Sequence, residues 1–411
     1  MAEALYGNVY FREAFAGMLR EEPDGRYTFT YDPAYVGSGN PGVAHTLPLQ
    51  LGSIYSTGGL HSYFDNLVAE GWLANAQMRA LGLQPHNRFA RLLAFGHDCI
   101  GAVSVLDPRA RKQPDLHTGT AEEIAALASR ASISGVQPKM LAVQTAAGYR
   151  PATAREASTH IAKLPSGQLP GIVELEYLTT RAAVELLPGD RTVALEIAAV
   201  SGVRRPCLLV RRFDRTPGGA KIHFEEFNQL LDRPSEAKYE GSYAEMADFM
   251  RANPRCEAAD IDFLFRRVLA SILLGNNDAH LKNFGLLYEG PAMRLSPVYD
   301  FVAAALYPEY NSALALRLGA GPNPRKLGAL TAKHVEALAK SFALGRGALL
   351  QAVHDLGLRL DAAEQAVSDA PHGLTRQKTD LIQLMRKRWN GTFKSLGKSI
   401  GKPIGKSTGR K

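Results

Sequence analysis

The sequence predicts an α+β protein in which a strand-rich part gives way to a helical one. Three observations predict it. Between Lys139 and Asp214 the segments KMLAVQ, THIAKL, TVALEIAAV and CLLVRRFD are short, apolar and bounded by Gly, Pro and polar residues, as strands are. From about residue 240 the period becomes helical, in YAEMADFMRA, in DIDFLFRRVLASILLG and over most of 331–390. Groups able to do chemistry gather around the junction of the two parts, above all in NNDAHLKNF, Asn276 to Phe284.

The preceding residues, 1–107, read as a smaller α/β subdomain. VYF and YTFTY are strand-like, GGLHSYFDNLVAEGWLANAQMRALG and FARLLAFG have helical spacing, and IGAVSVL returns as a strand. The polar, proline-containing DPRARKQPD closes this subdomain. Residues 108–240 form the sheet-rich lobe and 241–391 the helical lobe. Residues 392–411 form a basic tail whose GKSI, GKPI and GKST repeats cannot build a packed core and are expected to be disordered.

With 411 residues, 45% hydrophobic and 21% charged, the composition is that of an ordinary multi-domain globular protein. No apolar run approaches the roughly 18 residues of a membrane span. The N-terminus lacks the basic-then-apolar pattern of a signal peptide, so no membrane partner and a cytoplasmic location are expected. Cys99, Cys207 and Cys256 are scattered, which argues against a disulfide framework or a zinc site. Of the net charge of +8, six positive charges fall in 392–411 without an acid, so the body is nearly balanced and carries no case for direct binding of DNA.

Five segments point to phosphoryl transfer, a reaction catalysed mostly by positioning and charge neutralisation. In LLGNNDAHLKNFGLLY an apolar helix ends at Gly275 and a polar loop follows. There Asp278 is placed to accept a substrate hydroxyl proton, Asn283 to ligate Mg²⁺ through its amide oxygen, and Lys282 to neutralise charge on the transferred group. His280 joins the nucleotide-binding set, or else braces the loop. In RLSPVYDFV, Asp300 follows a strand and a proline turn and would reach the same metals. In ASISGVQPKM the small residues before Lys139 form a turn whose N–H groups could cradle phosphates. Ser134, Gly135, Val136 and Gln137 are the expected contacts, although taken alone the segment reads as an ordinary hairpin turn. In HIAKLP, Lys163 sits inside an apolar strand and would grip the nucleotide phosphates, held by Glu176 rather than Glu174 or Glu185. In LLVRRFDR, Arg212 and Phe213 would meet the nucleotide, Arg212, Asp214 and Arg215 would form a surface ion-pair cluster, or both.

Together these segments resemble the HipA family of serine/threonine kinases from bacterial toxin–antitoxin modules. The resemblance runs from about Val9 to Arg388 and is carried by YDPAYV, HTLPLQL, FDNLVAEG, FGHDCIGAVSV, SISGVQPKM, HIAKLP, LEY, RRFDR, KYE, NNDAHLKNF and LSPVYDF, in the family's order. It implies a bilobal protein-kinase-like fold with an appended N-terminal subdomain, using ATP and Mg²⁺. Lys163 would hold the phosphates, Asp278 would be the catalytic acid, and Asn283 and Asp300 the metal ligands. The loop Ser132–Gln137 would cover ATP. Ser132 stands where the family autophosphorylates and Ser134 offers a second hydroxyl. Arg211 replaces the acid of the family's ERFDR, and Glu226 the aspartate of its QEDF. The resemblance further implies a HipB-like helix-turn-helix antitoxin as partner, operator DNA reached only through that partner, and an aminoacyl-tRNA synthetase as protein substrate. The alternatives are a kinase-like scaffold that binds an antitoxin as co-repressor, and a small-molecule kinase on the same fold.

Overall fold

The computed structural model describes residues 4–109, 114–116, 119–133, 135–154, 156–307, 313–321, 323–324 and 326–397. The chain divides into two compact units, each built from three segments. Met1–Val173, Val193–Tyr239 and Leu281–Pro297 form the first, and Glu174–Thr192, Glu240–His280 and Val298–Lys411 the second.

The first unit contains three antiparallel sheets. Strands β1 (Tyr6–Phe11), β2 (Ala14–Glu21), β3 (Tyr27–Tyr31), β4 (Ser53–Ser56) and β5 (Val103–Leu106) are ordered β4-β3-β2-β1-β5. Along β1 every second residue is buried, so Val9 and Phe11 enter a core shared with Leu19, Phe29, Phe64 and Val105. The second sheet, β7-β6-β8-β10-β9, is built from β6 (Lys139–Thr145), β7 (Gly148–Pro151), β8 (His160–Lys163), β9 (Leu195–Ala198) and β10 (Cys207–Arg211). The first five residues of β6, KMLAV, are all buried, as in a strand covered on both faces. The register of β6 against β8 runs from Lys139↔Lys163 to Ala142↔His160. The third sheet, β11 (Phe224–Glu226), β12 (Gly285–Glu289) and β13 (Ala292–Leu295), contains the strand that follows NNDAHLKNF.

The second unit is helical. Its longer helices are Ile172–Leu186, Tyr243–Ala252, Ala258–Leu274, Ala332–Ser341, Arg346–Ser368 and Thr375–Arg388. Ser242 and Glu245 close a capping box on Tyr243–Ala252. Leu264, Phe265, Val268, Leu269 and Leu273 supply the buried face of Ala258–Leu274, with Phe265 against Phe342 at 5.5 Å between ring centres. Arg267 of this helix pairs with Asp190 at 2.5 Å, both buried. Among the described residues no helix is long and apolar enough to cross a membrane.

Thr392–Gly397, placed in the expected disordered tail, are helical. Trp389–Phe393 is a π-helical turn and Lys394–Gly397 continues as α-helix. Thr392, Phe393 and Leu396 are buried, and their packing overrides the glycine and lysine around them. Residues 398–411, which hold the Gly-Lys repeats, lie outside the described residues.

Candidate active site

Within the first unit the site begins with two lysines. Antiparallel pairing sets Lys139 of β6 directly opposite Lys163 of β8, and both are buried. Side chains directly opposite on one face stand about 5 Å apart, so like charges there repel. Two buried cations in that register suit a polyanion. The loop before Lys139 folds over it. Gly135 has φ +112°, where a side chain is strained, and a Cβ there would fall 2.3 Å from Lys139 Nζ, so the flexible end of the lysine would have to move. The loop is pinned at both ends. Ser132 Oγ donates to Leu67 O at 2.5 Å, and Gln137 Nε2 donates to Leu164 O at 3.1 Å. Between the pins Val136 is 53% exposed and borders a cleft of about 550 Å³ that also touches Trp72 and Leu164. Ser134 lies outside the described residues.

Lys139 was not among the site residues expected from sequence. Its signal was present, because a lysine opening an apolar strand two strand positions from HIAK falls opposite Lys163 once the strands pair without offset.

The division between the units falls inside NNDAHLKNF, between His280 and Leu281. In the second unit, Gly275 ends the Ala258–Leu274 helix in the left-handed region at φ +75°, and Asn276 N donates to Ser271 O at 2.9 Å. Asn277 Nδ2 donates to Ala313 O at 3.3 Å, His280 N to Asp278 O at 2.8 Å, and Tyr243 Oη to Ala279 O at 2.9 Å. Of Asn276–Phe284 only Asp278 and Asn283 are not buried. A loop so pinned presents its acid and its amide and hides the rest. Burial, then the charge of Asp278, pushes the Tyr243 phenol far up, so Tyr243 stays a neutral donor beneath the loop.

Asp300, also in the second unit, has φ +55°. Few residues with a side chain hold that conformation, and those that do concentrate at functional sites. The chain after it is tied down, since Ala303 N donates to Thr179 Oγ1 at 3.1 Å. Thr179 lies one turn beyond the buried Glu176 on the helix Ile172–Leu186. Glu176, Asp278, His280 and Asp300 thus belong to the second unit, and Lys139, Lys163, Lys282 and Asn283 to the first.

Two expected site residues are engaged with other partners. Lys282 was expected to face the transferred phosphoryl group. Instead its Nζ is buried among Glu70 Oε1 at 2.9 Å, Ser235 Oγ at 3.1 Å, Asn66 O at 3.4 Å and Glu226 Oε2 at 3.7 Å. An ammonium has three protons to donate, and these partners take them. Burial alone would push the Glu70 carboxyl up, but Lys282 and Lys238 outweigh it and hold it well below the ordinary carboxylate range. Burial pushes Glu226 up to about 7 against the pull of Lys282.

Arg212 was expected to meet the nucleotide. It is wholly buried and its guanidinium is fully engaged. Nε and Nη2 donate to Asp214 at 2.9 and 2.6 Å, Nη1 to Ser158 Oγ at 2.8 Å, and Nη2 also to Cys99 O at 2.9 Å. Arg215 completes the cluster on Asp98 and Asp214 at 2.5 and 2.9 Å. The ion pairs of RRFDR therefore exist, but in the interior, where they brace the end of β10 against the GHD segment of the N-terminal sequence. Phe213 lies partly exposed beside this cluster, edge-on to Phe224 at 5.1 Å.

The first unit offers two opposed lysines beside the Gly135 loop and the amide of Asn283, and the second offers the carboxylates of Asp278, on a pinned loop, and Asp300, in left-handed backbone. Residues 131–367 match the HipA-like C-terminal domain and residues 7–106 the HipA N-terminal domain. Two Sinorhizobium fredii proteins, Y4mE and Y4dM, whose names mark them as candidate kinases, are each 28% identical. The matches cover 76% and 84% of this chain and 80% and 87% of theirs. The serine/threonine-protein kinase toxin HipA of Shewanella oneidensis is 26% identical over 70% of this chain and 72% of its own. A chain of the solved Shewanella oneidensis complex of HipA, HipB and operator DNA superposes with a TM-score of 0.76 at 21% identity, covering 95% of this chain and 99% of that one. The fold is thus the α+β, kinase-like fold of HipA.

Proposed function

The chain belongs to the HipA family, and from that premise we propose that it is an ATP-dependent serine/threonine protein kinase, the toxin of a toxin–antitoxin pair. The observation that carries the reading is the pairing of Lys139 with Lys163, two buried cations directly opposite beneath a loop hinged at Gly135. Lys163 and Lys139 hold the nucleotide phosphates, and Glu176 orients Lys163. Gly135, Val136 and Gln137 cover the phosphates with backbone N–H groups. Asn283 and Asp300 ligate the metal, with His280 bracing the loop between them. ATP supplies the transferable phosphoryl group and Mg²⁺ the charge that neutralises it. Asp278 orients the substrate hydroxyl and accepts its proton.

The acceptor is proposed to be a serine of a protein, an aminoacyl-tRNA synthetase by family precedent, together with Ser132 or Ser134 of the chain's own loop. Ser132 is 2% exposed and bonded to Leu67 O, so its modification requires the loop to leave this position. A phosphate on Ser132 adds close to two negative charges and removes the hydroxyl that bonds Leu67 O, so it cannot return to this buried position and would hold the loop away. A HipB-like antitoxin is the proposed partner, by analogy with the HipA–HipB–DNA complex that the chain resembles.

The test incubates the purified chain with labelled Mg-ATP and a panel of synthetases, then maps modified serines by mass spectrometry. Labelled synthetase that disappears with Asp278→Ala, and nucleotide affinity weakened by about tenfold or more in Lys139→Met, is the expected result. Low-mass products alone would redirect the reading to a small-molecule kinase. Complete absence of ATP binding by the wild-type chain would leave an antitoxin-binding scaffold.

A further inference from the structure

Far upstream of every motif in the site, residues Ser62–Leu81 touch three separate loops of the first unit. Leu67 O accepts from Ser132 Oγ, and Gln77 Nε2 donates to Ala131 O at 2.7 Å, which fixes where the phosphate loop begins. Gly71, the first residue of the helix Gly71–Leu81, abuts the same loop further on. With φ +57°, a Cβ there would stand 2.8 Å from Val136 Cα and 3.1 Å from Val136 O. Glu70, immediately before it, sends Oε1 to Lys282 at 2.9 Å and Oε2 to Lys238 at 2.7 Å, and also accepts from Ser235 Oγ. Asn66 adds a tie, donating to Arg233 O at 2.8 Å and accepting from Asn228 Nδ2 at 2.8 Å.

We propose that Glu70 is a positioning residue for the nucleotide and metal site. It holds Lys282, the middle residue of the turn Leu281–Asn283, and thereby sets the direction of the Asn283 amide. Its neighbour Gly71 holds the phosphate loop at Val136. Two adjacent residues of the N-terminal subdomain thus fix both the cover of the phosphates and one ligand of the metal. The inference rests on the kinase reading, because it takes Asn283 as a metal ligand. The chemistry of the contact argues for positioning over simple packing. Glu70 neutralises two lysines at once, and without it Lys282 and Lys238 keep their charge in a buried place. Such an ammonium turns toward the remaining anions, Glu226 at 3.7 Å first and a bound triphosphate after it, and pulls its turn with it. Nucleotide binding should then persist while the turn at Asn283 is displaced, and misplacement of about 1 Å is enough to cost roughly 100-fold in rate.

The full chain serves as the sample, as wild type, Glu70→Gln, Lys282→Met and the double variant. Three quantities are read: the calorimetric Kd for Mg-ATP, the Mg²⁺ concentration giving half-maximal phosphate release, and hydrogen exchange of amides 135–139 and 281–284 without nucleotide. In Glu70→Gln, exchange at both segments should speed up by about tenfold and the Mg²⁺ midpoint should rise by about fivefold or more. The Kd should change by less than about threefold. If Glu70→Gln does not fold, the double variant removes one of the two buried charges that it leaves unpaired, that of Lys282. The proposal then predicts that it shares the raised midpoint and fast exchange of Lys282→Met. Wild-type exchange and a wild-type midpoint in a folded Glu70→Gln chain, or in the double variant, overturn it. A wild-type chain that binds no Mg-ATP instead overturns the kinase reading and takes this inference with it.

Discussion

Glu226 Oε2 lies 3.7 Å from Lys282 Nζ, buried and without a hydrogen-bond donor of its own. Its side chain is 13% exposed, and burial raises its carboxyl from 4.5 to about 7. A carboxyl whose folded value is raised stabilises the fold while protonated. That contribution is complete below pH 4.5 and is lost as the pH climbs through about 7. The loss amounts to roughly 1–3 kcal/mol, since each unit is worth about 1.4 kcal/mol and residual solvent and Lys282 both reduce the effect. Glutamine cannot ionise. Glu226→Gln should match the wild type near pH 4.5 and become the more stable chain by about 1–3 kcal/mol at pH 8. Urea unfolding at several pH values measures this, and a stability difference that stays flat across the range contradicts the assignment.

A second expectation concerns Arg212, which separates a buried brace from a nucleotide contact. Burial pushes the Asp98 carboxyl up, yet Arg212 and Arg215 outweigh burial and hold it well below its ordinary range. Replacing Arg212 by Met leaves Asp98 and Asp214 with one guanidinium between them. Breaking a buried pair from one side costs about 3–5 kcal/mol. Arg212→Met should therefore lose stability on that scale and, at a temperature where it is still folded, keep its Mg-ATP affinity within about twofold. An unchanged melting temperature with weakened nucleotide binding would restore the original role.

These two residues also show how far the chain could be read before it was folded. Asp278, Asn283 and Asp300 could be singled out from sequence because their residue types, order and flanking helix and strand signals are local. The helix stop at Gly275 and the strands around Lys139 and Lys163 were legible for the same reason. Glu70 was not, because its partner Lys282 stands 212 positions away and an acid beside a glycine after an apolar stretch resembles any helix start. The pairing of Lys282 was hidden in consequence: beside a candidate metal-binding amide, a lysine whose partner is 212 positions away looks like a phosphate ligand. Arg212 failed differently. RRFDR looks solvated because its charges are dense, and only the arrival of Asp98, 114 positions upstream, makes burial of the whole cluster affordable. Local chemistry survives in sequence, whereas long-range charge neutralisation does not.

The last expectation tests how the acid loop is launched. Gly275 caps Ala258–Leu274 at φ +75°, three residues before Asp278. A Cβ there would fall 2.4 Å from Leu384 Cδ2 and 3.3 Å from Ala305 Cβ, and Gly275 O accepts from Ala305 N at 3.0 Å. Two costs meet in Gly275→Ala. The left-handed conformation costs about 1–2 kcal/mol for a residue with a Cβ, and the overlap with Leu384 adds about 1 kcal/mol or more. Stability should fall by about 2–3 kcal/mol, and hydrogen exchange should speed up in peptides covering 258–280. Shortening the flexible neighbour separates the two costs, so Leu384→Ala should add less than its own independent penalty when placed on Gly275→Ala. Strictly additive losses would mean that the helix end does not touch Leu384. In that case the position of Asp278 would be set by Tyr243 and the loop's own hydrogen bonds alone.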